Sequence, residues 1–153
     1  MLSFRKAAAD DVMLYFKWAN DAEVRRQSYQ TETISLEQHK KWFDKKINDT
    51  NCLLLVFENE EKLPVGQIRF QKETEEIDII GISLANEFRG KGYATQLLQM
   101  ASDYFLKLYP GKIIYAYIKN DNAGSIKSFR KANFVFEKNI NINGTESVLY
   151  VKK

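Results

Sequence analysis

The loop from Arg89 to Ala94 constrains the fold more than any other feature of the sequence. It joins an apolar segment of strand length, 76–85, to segment 93–108, whose apolar residues recur at helical spacing. Gly90 and Gly92 lie at this junction, and glycine lets a backbone turn sharply and approach a ligand closely. The first amides of a helix lack partners within the helix and carry the positive end of its dipole. The junction therefore predicts a strand-to-helix turn that can hold a pyrophosphate.

Two common phosphate-binding motifs do not describe this loop. It lacks the Gly-Lys-Ser/Thr ending of a Walker loop. It also departs from the Gly-x-Gly-x-x-Gly spacing of dinucleotide-binding proteins, because Thr95 stands where the third glycine is needed. No parallel βαβ unit is predicted before it.

The rest of the chain alternates between helical and strand periodicity. Asp10 or Asp11 is predicted to cap the first helix, Ser35 and Gln38 have the spacing of a capping box, and Asn143-Gly144 is a strong hairpin signal. The predicted helices are 12–19, 22–27, 35–47, 93–108 and 122–133. The predicted strands are 2–7, 52–58, 65–71, 76–85, 112–119, 134–140 and 146–152, of which 52–85 form an antiparallel meander. This order predicts an α/β fold with a mixed sheet and helices on its faces.

Composition excludes several classes of protein. Cys52 and His39 are the only cysteine and the only histidine, which argues against a disulfide scaffold and a Cys/His zinc site. No apolar run approaches the roughly 20 residues that a membrane span needs. The net charge of +3 is spread among acidic residues, so we expect no nucleic-acid partner. The first residues lack an apolar signal core, so a cytoplasmic location is expected.

Two blocks carry a family resemblance. Arg89, Gly92 and Ala94 form an R-x-x-G-x-A pattern that resembles the signature of the GCN5-related (GNAT) N-acetyltransferases. A second block of that family, N-x-x-S-x-x-x-F-x-K-x-G-F, is matched at Asn122, Ser125, Phe129, Lys131 and Phe134. The resemblance implies one GNAT domain over 1–153, with a single mixed, mostly antiparallel sheet of about seven strands and helices on both faces. It also implies acetyl-CoA as co-substrate and no metal, and homodimers occur in the family.

The resemblance also implies which residues contact acetyl-CoA. The separated end of the third meander strand would bind the pantetheine arm through its main chain. The loop would bind the pyrophosphate, and the second block would contact the coenzyme arm. The residues so implied are Ile82, Ser83, Leu84, Arg89, Gly90, Lys91, Gly92, Tyr93, Ala94, Thr95, Asn122, Ser125, Phe129 and Lys131.

The implied reaction is direct acetyl transfer to an amine, since Cys52 begins a core strand and a cysteine-acyl intermediate is not expected. Asp78, six residues before Leu84 on the same strand face, is the predicted general base, with Glu76 as the neighbouring alternative. Phe129 stands where many family members have a tyrosine that protonates the thiolate, so Ser125, Tyr115 or water would serve. Asn133 replaces the usual glycine and tolerates the left-handed conformation.

The first helices indicate the acceptor. Their pattern at Trp18, Asn20, Asp21, Val24, Arg25, Ser28, His39 and Trp42 resembles that of enzymes that acetylate nucleotide-linked amino sugars in pseudaminic-acid-type pathways. The predicted substrate-binding residues are Asn20, Asp21, Arg25, Ser28, His39 and Trp42. The alternatives are a protein N-terminal acetyltransferase of the ribosomal-protein type, an enzyme for another small amine such as an aminoglycoside or polyamine, and a non-catalytic acetyl-CoA-binding module.

Overall fold

A computed structural model describes residues 1–153. Its helices are α1 (Val12–Ala19), α2 (Ala22–Gln27), α3 (Leu36–Ile47), α4 (Tyr93–Leu108) and α5 (Ala123–Lys131). Its strands are β1 (Ser3–Lys6), β2 (Cys52–Glu58), β3 (Pro64–Lys72), β4 (Ile77–Leu84), β5 (Ile113–Lys119), β6 (Val135–Ile142) and β7 (Thr145–Lys152). Each element lies within two residues of its predicted bounds.

All the strands form one seven-stranded sheet in the order β1-β2-β3-β4-β5-β7-β6. Only the β4–β5 pair is parallel, and β2, β3 and β4 form the predicted antiparallel meander. The predicted mixed, mostly antiparallel sheet of about seven strands is thereby confirmed. None of the five helices has the length and apolarity that crossing a membrane requires.

Helices cover both faces of the sheet, and each face has its own apolar core. Leu55 and Phe57 of β2 belong to a core that includes residues of α4 and α5. Leu54 and Val56 belong to a second core with residues of α1 and α3. Successive strand residues point to opposite faces, so this continuous apolar run in β2 reflects burial on both sides.

The β4–β5 pair separates along its length. Cα partners run only from Ile77–Ile113 to Ile79–Tyr115, and the remainder of β4, through Leu84, pairs with β3 alone. β5 meanwhile stays paired with β7 as far as Lys119. The two parallel strands therefore diverge toward the end of β4, and this gap opens beside the loop that leads into α4.

Local details confirm some predictions and correct others. Ser35 accepts the amide of Gln38 at 3.2 Å, and Asn133 is left-handed with φ of 72°. Asp11 does not cap α1, because its carboxylate accepts the Ala8 amide and pairs with Arg5 at 2.7 Å, which holds the Asp11 pKa below its ordinary value.

Two apolar residues at helix ends depart from the pattern of their helices. Helical spacing predicts that Leu36 and Leu108 face inward, but both side chains are exposed. Leu36 is the first residue of α3 and Leu108 the last residue of α4, so each lies in a terminal turn.

Candidate functional site

A cavity of about 700 Å³ lies between the first three helices and the part of the sheet where β4 and β5 diverge. Its walls come from α1, α2, α3, β3, β4, β5 and α5 and from the segment that follows α2. The same gap opens beside the loop before α4, which follows the end of β4 after a few residues. A molecule at the loop and a molecule in the cavity can therefore meet at the gap.

The loop before α4 presents unpaired backbone donors. Gly90 and Gly92 have φ of 74° and 81°, the left-handed region that glycine adopts without strain. None of the amides from Gly90 to Thr95 has a hydrogen-bond acceptor within the protein. A run of free amides at the start of a sixteen-residue helix fits a pyrophosphate, as predicted. Lys91 is exposed beside these amides and adds a positive charge.

Arg89 has a different position from the one predicted. Its Nη2 donates to Asp21 Oδ1 at 2.6 Å and to the Leu84 carbonyl at 3.0 Å. The same Asp21 oxygen accepts the Glu23 and Val24 amides at the start of α2. Arg89 therefore connects the loop to α2, and its charge is already neutralised by a carboxylate.

Asn20, expected at the substrate, is also used within the fold. Its side chain donates to and accepts from the backbone of Ile34, both at 2.7 Å. Neither Asn20 nor Asp21 lines the cavity. Both residues hold the segment between α1 and α3 in place.

The separated end of β4 has main-chain groups directed into the gap. Ala85 donates to Val65 of β3 at 2.8 Å, and residues along an antiparallel strand alternate in the direction of their main-chain groups. Ile82 and Leu84 therefore direct theirs away from β3, toward the gap. Ile82 and Ser83 line the cavity. This placement fits the predicted pairing with the amides of a pantetheine arm.

The second block of residues divides between the cavity and the surface. Asn122 accepts the Ser125 amide at 3.2 Å and caps α5. Ser125 and Phe129 line the cavity, and Phe129 packs edge-to-face against Phe134 with ring centroids 5.0 Å apart. Lys131 is exposed at the far end of α5 and lies outside the cavity.

The two carboxylates predicted as general bases lie away from the cavity. Asp78 is 5% exposed and shares a sheet face with Ile80, which packs into the α4 core. It pairs with Lys112 Nζ at 2.8 Å and lines a separate cavity beside Tyr109. Glu76 is exposed before β4 begins. The period-two count placed Asp78 on the face of Leu84, but this end of that face packs against the α4 core and Asp78 does not line the cavity.

Four of the predicted substrate-binding residues line the cavity, namely Arg25, Ser28, His39 and Trp42. Arg25 donates to the Gln30 carbonyl at 2.9 Å and to Ser28 Oγ at 3.1 Å, so most of its donors organise the segment after α2. His39 Nε2 lies 2.8 Å from the Val12 carbonyl. Because a carbonyl only accepts, Nε2 carries the proton and Nδ1 is left as an acceptor.

Sequence reasoning missed several polar residues of the cavity. Gln67 and Arg69 of β3 and Tyr29 and Tyr117 line it, whereas the predicted Tyr115 does not. The alternation in β3 already contained a signal, because polar residues at these two positions alternate with buried Ile68 and Phe70. A charged residue in the middle of a central strand marks a face that is not filled by core side chains.

The cavity carries positive charge only. No aspartate or glutamate lines it, whereas Arg25 and Arg69 both do. Burial lowers the pKa of both guanidinium groups, and no carboxylate opposes that effect. Burial raises the pKa of Tyr117, so its hydroxyl stays protonated in neutral solution. The side chains of the cavity can therefore donate hydrogen bonds to an anionic or polar ligand.

The strand gap, the free amides before α4 and the adjoining cavity are suited to two ligands held side by side, which is the arrangement that a group-transfer enzyme needs. Residues 1–135 match the family model described as the acetyltransferase (GNAT) domain, and the chain belongs to that family. It is an N-acetyltransferase that uses acetyl-CoA as co-substrate and transfers acetyl to an amine. No group of three or more His, Cys, Asp or Glu side chains comes together in the structure.

Solved structures with the same fold include bacterial polyamine acetyltransferases. Spermidine N-acetyltransferase from Vibrio cholerae, in complex with CoA and spermine, superposes with a TM-score of 0.89 at 20% identity, over 99% of this chain and 94% of that chain. A mutant form of the same enzyme has a TM-score of 0.83 at 22% identity, over 99% and 92% of the chains. At this identity the likeness extends to the fold alone. No curated protein matches the sequence significantly.

Proposed function

We propose that this N-acetyltransferase acts on the amino group of a small molecule that also carries negative charge, and that a nucleotide-linked amino sugar is its substrate. The observation that supports this most directly is the charge of the cavity, which contains two arginines and no carboxylate. A phosphate or carboxylate group would complement these arginines, since guanidinium groups bind such anions through paired donors.

The co-substrate side of the site is assigned to three elements. Acetyl-CoA supplies the acetyl thioester, and its pyrophosphate would be held by the amides of Gly90–Thr95 and by Lys91. The main-chain groups of Ile82 and the amide of Leu84, whose carbonyl already accepts Arg89, would hold the pantetheine arm. Ser125 and Phe129 lie at the inner end of the gap, beside the acceptor cavity. The thioester would therefore meet the amine between β4 and α5.

Two side chains of the cavity can carry the protons of the transfer. His39 can accept one at Nδ1, because its Nε2–H bonds to the Val12 carbonyl and fixes the tautomer. Tyr117 lines the cavity with its hydroxyl protonated and can donate a proton to the leaving thiolate. In this proposal His39 takes the role first predicted for Asp78, and Tyr117 joins Ser125 as a candidate donor in place of Tyr115.

Replacing His39 with glutamine tests the assignment of the base. Glutamine can keep a donor toward the Val12 carbonyl but cannot take up the proton, so we expect kcat to fall about 100-fold, with little change in the KM of acetyl-CoA. Asp78→Asn, which keeps an acceptor for Lys112, is expected to stay within about threefold of the parent rate. A loss of activity in Asp78→Asn alone would instead assign the general base to Asp78 of β4.

A polyamine is the second candidate acceptor. It is favoured by the structural likeness to enzymes whose bound or named substrates are spermidine and spermine. Polyamines are cations, and sites for them need carboxylates or aromatic faces. Trp18 and Trp42 supply aromatic surface, but Arg25 and Arg69 repel a cation in the same cavity. The charges of this chain therefore favour the anionic acceptor.

An acceptor screen separates these candidates. Thiol release from acetyl-CoA is measured with UDP- and dTDP-linked amino sugars, with spermidine and spermine, and with a peptide bearing a free N-terminus. We expect turnover with at least one nucleotide-linked amino sugar, and a kcat/KM at least about tenfold above that for spermidine. Turnover with spermidine alone would establish the polyamine assignment. Turnover with the peptide alone would establish an N-terminal acetyltransferase.

A further inference from the structure

We propose that Arg69, beside Trp42, forms the anion-binding subsite of the acceptor cavity and determines which amines the enzyme accepts. This inference rests on the proposed function, because it assumes that the acceptor enters this cavity. The bound group would be a phosphate or carboxylate oxygen of the acceptor. The same charge would exclude acceptors that are purely cationic.

Arg69 differs from the other arginines near the site in having no partner within the protein. Arg26 pairs with Glu23 at 2.7 Å, and Arg89 pairs with Asp21 at 2.6 Å. Arg25 donates to backbone carbonyls and to a hydroxyl. Arg69 takes part in no salt bridge, and none of its donors makes a hydrogen bond within the chain. All the N–H donors of the Arg69 guanidinium are therefore free to bind a ligand.

The guanidinium lies on the floor of the cavity. Arg69 is the register partner of Gly81 in β4, and its Nη2 would be 3.5 Å from a Cβ at that position. With no side chain at Gly81, the guanidinium extends across the strand beneath α3. Its Cζ is 5.7 Å from the centroid of the Trp42 ring, which lines the same cavity.

The contact with Trp42 does not compensate for the burial of Arg69. Removing a guanidinium from water costs more than one cation–π contact returns. Burial accordingly lowers the pKa of Arg69, and the two neighbours that act in the opposite direction, Cys52 and Tyr15, are weak acids rather than carboxylates. Arg69 is partly buried and has no counter-ion, so it gains an ion pair when a ligand supplies the anion.

An unpaired acceptor lies on the same face of β3 as Arg69. The Oε1 of Gln67, two positions along the same face of β3, is buried without a hydrogen-bond partner, while its Nε2 donates to Ser83 Oγ at 3.1 Å. Gln67 and Arg69 both line the cavity, so this face of β3 carries a donor cation and a neutral acceptor two residues apart. An acceptor molecule with an anionic group and a nearby hydroxyl or N–H donor satisfies both.

Titration calorimetry tests the subsite without requiring turnover. The protein is first saturated with CoA, so that the amides before α4 are occupied, and is then titrated with UDP and separately with glucuronate. We expect at least one of them to bind, and Arg69→Gln to weaken that binding at least about tenfold. Arg26→Gln, a surface arginine paired with Glu23, is the matched control and should stay within about twofold. Tighter binding of UDP would identify phosphate as the group that Arg69 prefers, and tighter binding of glucuronate would identify carboxylate.

Thermal stability distinguishes a ligand-binding arginine from a structural one. Without ligand, Arg69→Gln should melt at or above the parent temperature, because an uncompensated charge has been removed. A fall in melting temperature, unchanged anion binding in Arg69→Gln, or no anion binding to the parent protein would overturn the inference. If Arg69→Gln does not fold, Arg69→Lys is used in its place. Lysine retains the charge but not the paired donors, so its affinity for the anion should fall about fivefold or more. Unchanged affinity for the anion in Arg69→Lys would refute the subsite.

The inference and the proposed function fail separately. Anion binding that depends on Arg69, without acetylation of any amino sugar, would retain the subsite and reject the substrate. Acetylation of amino sugars with full activity in Arg69→Gln would retain the function and reject the subsite.

Discussion

Gly92→Glu is expected to weaken acetyl-CoA binding by roughly 1000-fold, measured as the dissociation constant by calorimetry. The substitution places a carboxylate among the amides that would hold the pyrophosphate, and like charges repel. Loss of two charge-assisted hydrogen bonds at about 1.5–3 kcal/mol each accounts for an effect of this size. The left-handed φ of 81° adds backbone strain, since residues with a Cβ rarely adopt it.

Gly111→Glu controls for that strain. Gly111 has φ of 89°, and a Cβ there would meet nothing within 4 Å, as is also true of Gly92. It follows the far end of α4, away from the free amides. We expect the two variants to be destabilised by similar amounts, and only Gly92→Glu to lose affinity for acetyl-CoA. Equal affinity in the two variants would mean that the loop does not bind the coenzyme.

Gly66→Ala is expected to destabilise the protein by about 3 kcal/mol, which corresponds to a fall of about 6–12 °C in Tm. A Cβ at Gly66 would lie 2.4 Å from the Ser83 carbonyl oxygen and 3.2 Å from the Leu84 Cα. Both are backbone atoms of β4 and cannot rotate away. The strand must shift where it borders the gap, so the KM of acetyl-CoA should also rise about tenfold.

Gly81→Ala is the matched control for this effect on stability. The three atoms nearest to a Cβ at Gly81 all belong to the Arg69 side chain, at 3.5 Å or more, which is ordinary contact with a flexible group. The free energy of unfolding of Gly81→Ala should therefore fall by less than about 1 kcal/mol. A Gly66→Ala variant as stable as Gly81→Ala would show that β3 and β4 are not closely packed at the gap.

The elements of the fold were predictable because their signals are local. The bounds of α2 at Ala22–Gln27 and the left-handed Asn133 follow from caps, periodicity and turn chemistry within a few residues of each position. The free amides before α4 were predictable for the same reason, because a glycine turn at the start of a helix leaves amides unpaired wherever it occurs.

The assignment of catalytic residues was less predictable. The strand period correctly placed Asp78 on the face of Leu84, but the location of the acceptor cavity depends on which helices cover which face. α4 covers the Asp78 face and α1–α3 cover the other, so Asp78 pairs with Lys112 and His39 lines the cavity. This information lies in contacts between residues far apart in the chain.

The sequence by itself therefore determined the order of the elements, the family resemblance and the amide cradle before α4, because each depends on neighbouring residues. The tertiary structure decided what the cavity can bind. Arg89 is neutralised by Asp21, 68 positions away, while Arg69 has no partner, and the two look alike in the sequence. Whether an arginine forms an ion pair within the fold or is free to bind a ligand depends on which carboxylates folding brings within a few ångströms of it.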